Sequence, residues 1–111
     1  MDAPLKRGDI VLVVASGDYG KPRPALIVQS DLFNETHASV TVCPITSALV
    51  QAPLFRVGVE SSKASGLKKP SQVMADKILA LNRAHIGKRI GVVAHEEMQG
   101  VEGALRLWLR L

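Results

Sequence analysis

Aromatic residues are scarce in this chain of 111 residues: two Phe, one Trp and one Tyr. That excludes a platform on which successive bases of a single strand stack, and it leaves the core to Val, Leu, Ile and Ala. Cysteine occurs once, at Cys43, so an internal disulfide and any multi-cysteine metal cluster are excluded. Within Val40-Thr41-Val42-Cys43-Pro44 the thiol reads as a buried strand residue, with no neighbouring base in the sequence to make it a nucleophile. No apolar run approaches the roughly 20 residues that span a bilayer. Met1 to Asp9 also carries no apolar stretch that could serve as a secretion signal. The expectation is a soluble, cytoplasmic protein with no membrane partner. His37, His85 and His95 are far apart and show no ligand spacing. Dinucleotide, P-loop and GxSxG signatures are missing too. Neither a metal nor a cofactor is expected.

What is present is enough for a core. Hydrophobic residues make up 47% and charged residues 22%, ordinary values for one globular domain over 1–111. The net charge of +4 permits a polyanionic partner without demonstrating one. Ile10 to Val14, Ala25 to Val28, Ser39 to Cys43 and Leu54 to Val59 read as strands, and Gln72 to Leu81 as a long fifth apolar segment. Pro44 is expected to break the third ladder. Asp31 to Ala38 reads as a loop, Glu60 to Pro70 as a mobile connection, and Asn82 to Gly87 as a turn or one short helical turn. In the tail, Met98, Val101, Leu105 and Trp108 recur at helical spacing. Glu96 and Glu97 lie early and Arg106 and Arg110 late, as the helix dipole favours. Leu105 to Leu111 also alternates like a strand, and Gly100 and Gly103 weaken a helix. Length and charge placement favour the helix, with Trp108 filling core beneath it. Short strands and one terminal helix suggest a small, strongly curved sheet or barrel.

The chemistry concentrates around Lys21-Pro22-Arg23-Pro24-Ala25-Leu26-Ile27-Val28. Two prolines hold Arg23 on stiff, extended backbone, and its planar guanidinium suits an anionic oxygen. Thr46, just after the third strand, and Asp76, inside the fifth segment, are the other polar residues at strand positions. Separately they are a salt-bridging arginine, a turn hydroxyl and a lysine partner. Together they could cleave a phosphodiester. A carboxylate would take the proton of a ribose 2′-OH, while arginine and threonine hold the phosphate as charge builds.

These residues resemble the MazF/PemK family of toxins, sequence-specific endoribonucleases of toxin–antitoxin systems. The matching pieces are Arg7-Gly8-Asp9-Ile10-Val11, Lys21 to Val28, Pro44-Ile45-Thr46-Ser47, Leu67-Lys68-Lys69-Pro70-Ser71-Gln72-Val73 and Asp76-Lys77-Ile78. The resemblance implies a mainly β fold with α. This is an SH3-like curved antiparallel barrel of about five to seven strands with a C-terminal helix, the fold shared by CcdB, MazF and Kid toxins, acting as a homodimer. It implies catalytic Arg23 and Thr46, with Asp76 at a position where some members carry an aspartate. It also implies metal-independent cleavage of single-stranded RNA to 2′,3′-cyclic phosphate and 5′-OH ends, and an antitoxin whose acidic, disordered tail covers the RNA groove. Tyr19, Lys21, Ser47, Gln72 and Lys77 are the expected substrate contacts, with Gly17 and Asp18 as further loop candidates.

Two departures bear on specificity. The loop from Ala15 to Lys21 is shorter than in many members, and Lys77 stands where glutamine is frequent, so the cleaved sequence does not transfer. Two rival readings remain at this point. One is a CcdB-like, non-enzymatic gyrase poison, for which Trp108 near the chain end gives a foothold. The other is a catalytically silent RNA-binding member of the fold.

Overall fold

A computed structural model of the chain describes residues 4–14 and 21–111. Seven strands form one antiparallel sheet: β1 (Asp9–Val13), β2 (Arg23–Ile27), β3 (Ser39–Thr46), β4 (Arg56–Val59), β5 (Ser71–Met74), β6 (Leu79–Asn82) and β7 (Ile86–Val92). A one-turn helix, α1 (Asp31–Asn34), follows β2, and a long one, α2 (His95–Leu109), follows β7. The strand order is β4-β5-β3-β2-β1-β7, with β6 also on β3.

β3 organises the sheet. One edge pairs with β2, from Ala25↔Pro44 to Ile27↔Val42. The other edge pairs first with β6, up to Val42↔Leu79, and then with β5, at Ile45↔Val73 and Thr46↔Gln72. The strand runs through Pro44 rather than ending there. The Val28 N–H donates to the Thr41 carbonyl at 3.2 Å, so the β3 residues bonded to β2 are the odd ones. The Pro44 nitrogen therefore points the other way, into the gap between β6 and β5, where no ladder bond is lost.

The strands β7-β1-β2-β3-β6 curl towards a barrel. β6 and β7 lie at opposite edges of this group, yet only the 3₁₀ turn Arg83–His85 joins them. Register shifts between β1 and β7 at Ile10–Val13 add to the bend. The curl stays open, since no ladder joins β6 to β7 among the described residues. Period-two alternation sends Val11, Val13, Ala25, Ile27, Val40 and Val42 inward, against Leu79, Leu81 and Ile86. It sends Ile10, Leu26, Cys43 and Ile45 outward, under Val101, Ala104 and Leu105 of α2.

Several expectations change. The long fifth segment is two strands, β5 and β6, divided by the 3₁₀ turn Ala75–Lys77. Asp76 therefore sits in a turn, which explains the polar interruption. The fourth strand starts at Arg56, because the Ala52 carbonyl accepts from the Phe55 and Arg56 N–H groups in a preceding turn. α1 forms where a loop was read: the Ser30 Oγ caps the Leu32 N–H, and the buried Asn34 amide reaches the Gln29 carbonyl and the Asp31 carboxylate. β7 carries no clear strand signal in the sequence, because Gly87 and Gly91 dilute it. Gly91 is required there, since a Cβ would collide with the Ser65 carbonyl oxygen. That close contact, together with the Ser62–Ser65 hydroxyl bonds and the Val92 N–H on the Ala64 carbonyl, packs the 60–70 segment onto β7. It is not the free connection expected.

The tail is a helix, and one of its glycines has a use. A Cβ on Gly100 would stand 3.1 Å from the Val57 side chain, so glycine lets α2 lie close on β4. Trp108 does not fill the core. The helix overhangs the sheet beyond Leu105, and Trp108 remains 51% exposed, its ring tilted against Phe55 at a centroid distance of 5.7 Å.

Candidate active site

Arg23 opens β2 opposite Val13 of β1, its backbone held extended by Pro22 and Pro24. On the other side of β2 the ladder with β3 ends at Ala25↔Pro44. The same register carried two residues further sets Arg23 across from Thr46. By the parity already noted, this is a non-hydrogen-bonded position, where cross-strand side chains lie closest.

Arg23 and Thr46 wall two adjoining cavities. One, of about 260 Å³, is the open end of the curl, with Val13, Ala25, Val42, Pro44, Met74 and Leu79 among its walls. The other, of about 290 Å³, is lined by Arg23 and Thr46 together with Ser47, Lys68, Lys69 and Ser71. The Arg23 side chain is exposed, while Thr46 is half-buried. The Thr46 Oγ1 accepts the Ala48 N–H at 3.1 Å, which closes the turn after β3 and leaves the hydroxyl proton free to donate.

The other sequence candidates disperse. Ser47 is exposed on the second cavity. Lys21 is exposed two residues before Arg23. Gln72 pairs with Thr46 across β3–β5, but its amide is engaged twice by Val50, accepting from the N–H at 3.1 Å and donating to the carbonyl at 2.9 Å. It braces the β3–β4 loop. Lys77 is exposed on the β5–β6 turn and lines neither cavity. Tyr19, with Gly17 and Asp18, lies outside the described residues.

Asp76 also stands apart from both cavities. Its carboxylate faces Arg56, with Oδ1 3.7 Å from Nε and both side chains largely buried. Neither of those two atoms makes a hydrogen bond. Burial, and secondarily the Asp76 charge, push the Cys43 thiol up to about 12. Cys43 therefore stays protonated and unreactive at any ordinary pH. Iodoacetamide at mildly alkaline pH is expected to leave the folded protein unmodified and to alkylate Cys43 in urea, as read by intact mass. Among the described residues no three of His, Cys, Asp and Glu converge as metal ligands would.

The sequence reading missed the contribution of Lys68 and Lys69 to the groove. Their adjacent charges are visible in the sequence, but they lie in a stretch that reads as a connection. Only the packing of 60–70 onto β7 brings them beside Arg23.

A curled antiparallel sheet backed by one C-terminal helix is the fold this chain shares with solved MazF toxins. The chain belongs to the PemK-like, MazF-like toxins of type II toxin–antitoxin systems, whose family model matches residues 6–109. It is 42% identical over 106 residues to a probable endoribonuclease MazF of Mycolicibacterium smegmatis, covering 95% of this chain and 96% of that one. It is 26% identical over 111 residues to endoribonuclease EndoA of Bacillus subtilis, covering 96% of each. Its fold also matches a mycobacterial endoribonuclease solved in complex with its cognate antitoxin, with a TM-score of 0.80, 27% identity, and coverage of 98% of this chain and 97% of that one.

Proposed function

We propose that this toxin is a metal-independent endoribonuclease acting in the cytoplasm on single-stranded RNA. The carrying observation is the placement of Arg23 and Thr46 opposite one another on the walls of a groove that also holds Lys68 and Lys69. Arg23 holds the scissile phosphate through its planar fork, and the Thr46 hydroxyl donates to a phosphate oxygen as negative charge builds. The ribose 2′-oxygen attacks phosphorus and its proton passes to water in the open groove. The bond from phosphorus to the 5′-oxygen breaks, and that oxygen takes a proton as it leaves. The products are a 2′,3′-cyclic phosphate and a 5′-OH. Asp76 has a different part: paired with Arg56, it holds the β5–β6 turn.

The same reading includes a cognate antitoxin with an acidic tail, suited to a chain of net charge +4, and a homodimer. In support of self-association, Leu107, Trp108, Leu109 and Leu111 of the helix end and tail are all exposed, and exposed apolar clusters mark interaction sites. The exposure of Trp108 also favours one second reading, a gyrase poison. Inhibition of gyrase supercoiling without RNA cleavage would select it.

The test is to incubate the protein with a long mixed-sequence RNA in EDTA and map the ends. Discrete cuts with cyclic-phosphate and 5′-OH ends are expected. Strict dependence on a divalent ion would overturn the mechanism.

A further inference from the structure

A cavity of about 660 Å³ runs along the first half of β7 and shares no residue with the two that Arg23 and Thr46 wall. Its size lies within the roughly 300–1,000 Å³ of small-molecule sites. Lys88 and Arg89 both line it, although successive residues of a regular strand point to opposite faces. The register explains how. Arg89 pairs with Val11 and Ile86 with Val13, so Gly87 and Lys88 together oppose Leu12. A bulge of this kind re-aims a side chain, and here it turns Lys88 to the cavity that Arg89 lines. Arg89 is held from behind. The Asp9 carboxylate, 4% exposed, accepts from Arg89 Nε and from the Lys6 N–H, each at 2.9 Å. The terminal amines of Arg89 and the Lys88 ammonium have no partner among the described residues. Arg83 adds a third positive charge to the walls, fixed on the Asn34 and His37 carbonyls. Leu5 and Ile86 supply half-buried apolar wall, and Glu35 an exposed carboxylate at the end of α1.

We propose that this cavity is a second binding site, separate from the catalytic groove, for a small organic phosphate that carries hydroxyl groups: a nucleoside monophosphate or a sugar phosphate. The phosphate sits between the Lys88 ammonium and the amines left free on Arg89, whose planar fork matches two phosphate oxygens. Asp9 sets the direction of that fork, as a hydrogen-bonded supporting residue does for a ligand-binding one. Leu5 and Ile86 take the less polar body of the ligand. The Glu35 carboxylate accepts from a hydroxyl and opposes a second phosphate, which favours a single one. A bare inorganic anion would use the two cations and leave most of the cavity unfilled.

The experiment is calorimetric titration of the full chain at low ionic strength with 5′-AMP, ribose 5-phosphate, adenosine and inorganic phosphate. At least one of the two organic phosphates is expected to bind at one site per chain, with adenosine and inorganic phosphate each weaker by about tenfold or more. Lys88→Ala is expected to weaken the organic phosphate by about 10–100-fold, the loss that follows from removing a hydrogen bond to a charged group. Lys88 is exposed, so this variant keeps the fold. Arg23→Ala, which removes the cation of the catalytic groove, should bind as wild type does. The proposal is overturned if neither organic phosphate binds, or if inorganic phosphate binds as tightly as they do. It is overturned equally if affinity falls with Arg23→Ala and survives Lys88→Ala, since the ligand is then in the catalytic groove. Binding that arises only when residues 1–3 are removed would assign the cavity to the chain's own first residues instead.

Discussion

Arg23→Ala is expected to lower kcat for RNA cleavage by about 10²–10³-fold, roughly 3–4 kcal/mol of transition-state stabilisation. The unfolding midpoint should barely move. Arg23 is exposed at the end of its ladder, and surface substitutions of that kind usually stay within about 0.5 kcal/mol. Arg23→Lys should recover only a small part of the rate, because a point charge does not reproduce a bidentate fork. Thr46→Ser keeps the hydroxyl and should stay near wild type. Thr46→Val should fall with Arg23→Ala in kcat, and it should also loosen the turn that Thr46 closes on the Ala48 N–H. Single-turnover kinetics beside urea melts separate the two effects. A larger effect on KM than on kcat would mean that Arg23 binds RNA without stabilising the reacting phosphate.

Asp76→Ala is expected to act on stability instead. It leaves Arg56 largely buried without its counter-charge, and breaking a buried pair costs about 3–5 kcal/mol. The 3.7 Å separation without a hydrogen bond argues for the lower end, about 3 kcal/mol, still a large share of the 5–15 kcal/mol that holds a typical domain. The double change Arg56→Met with Asp76→Leu should restore most of the loss, because the lone charge is removed with its partner. Cleavage per folded molecule should change by no more than a few-fold. Unchanged stability with a 10²–10⁴-fold loss of rate would make Asp76 the general base after all.

The parts legible in the sequence were those written in local terms. The prolines around Arg23, the apolar runs of β1, β2 and β3 and the helical spacing of α2 depend on neighbours along the chain, and they could be read directly. What depended on distant packing could not. Pro44 looks like a break until its nitrogen is seen to face the gap between β6 and β5. Gly91 weakens a strand pattern until the Ser65 carbonyl stands where a Cβ would be. Gln72 gives no sign in the sequence that Val50 takes both ends of its amide. Trp108 reads as core because periodicity marks a face of a helix but not where the sheet beneath it ends.

β3 takes its partners from both directions along the chain, β2 before it and β5 and β6 after it, while β1 pairs with β2 and, on its other edge, with β7. During synthesis at roughly 5–20 residues per second, Arg23 and Thr46 leave the ribosome early but have no groove to belong to. Lys68, Lys69 and the bracing Gln72 come later, and the curl completes only when residues up to Val92 are out. A groove assembled this way is incomplete while the chain is still short of Val92. The ribosome that makes it, and the message being read, are exposed to the activity only once the protein is nearly finished.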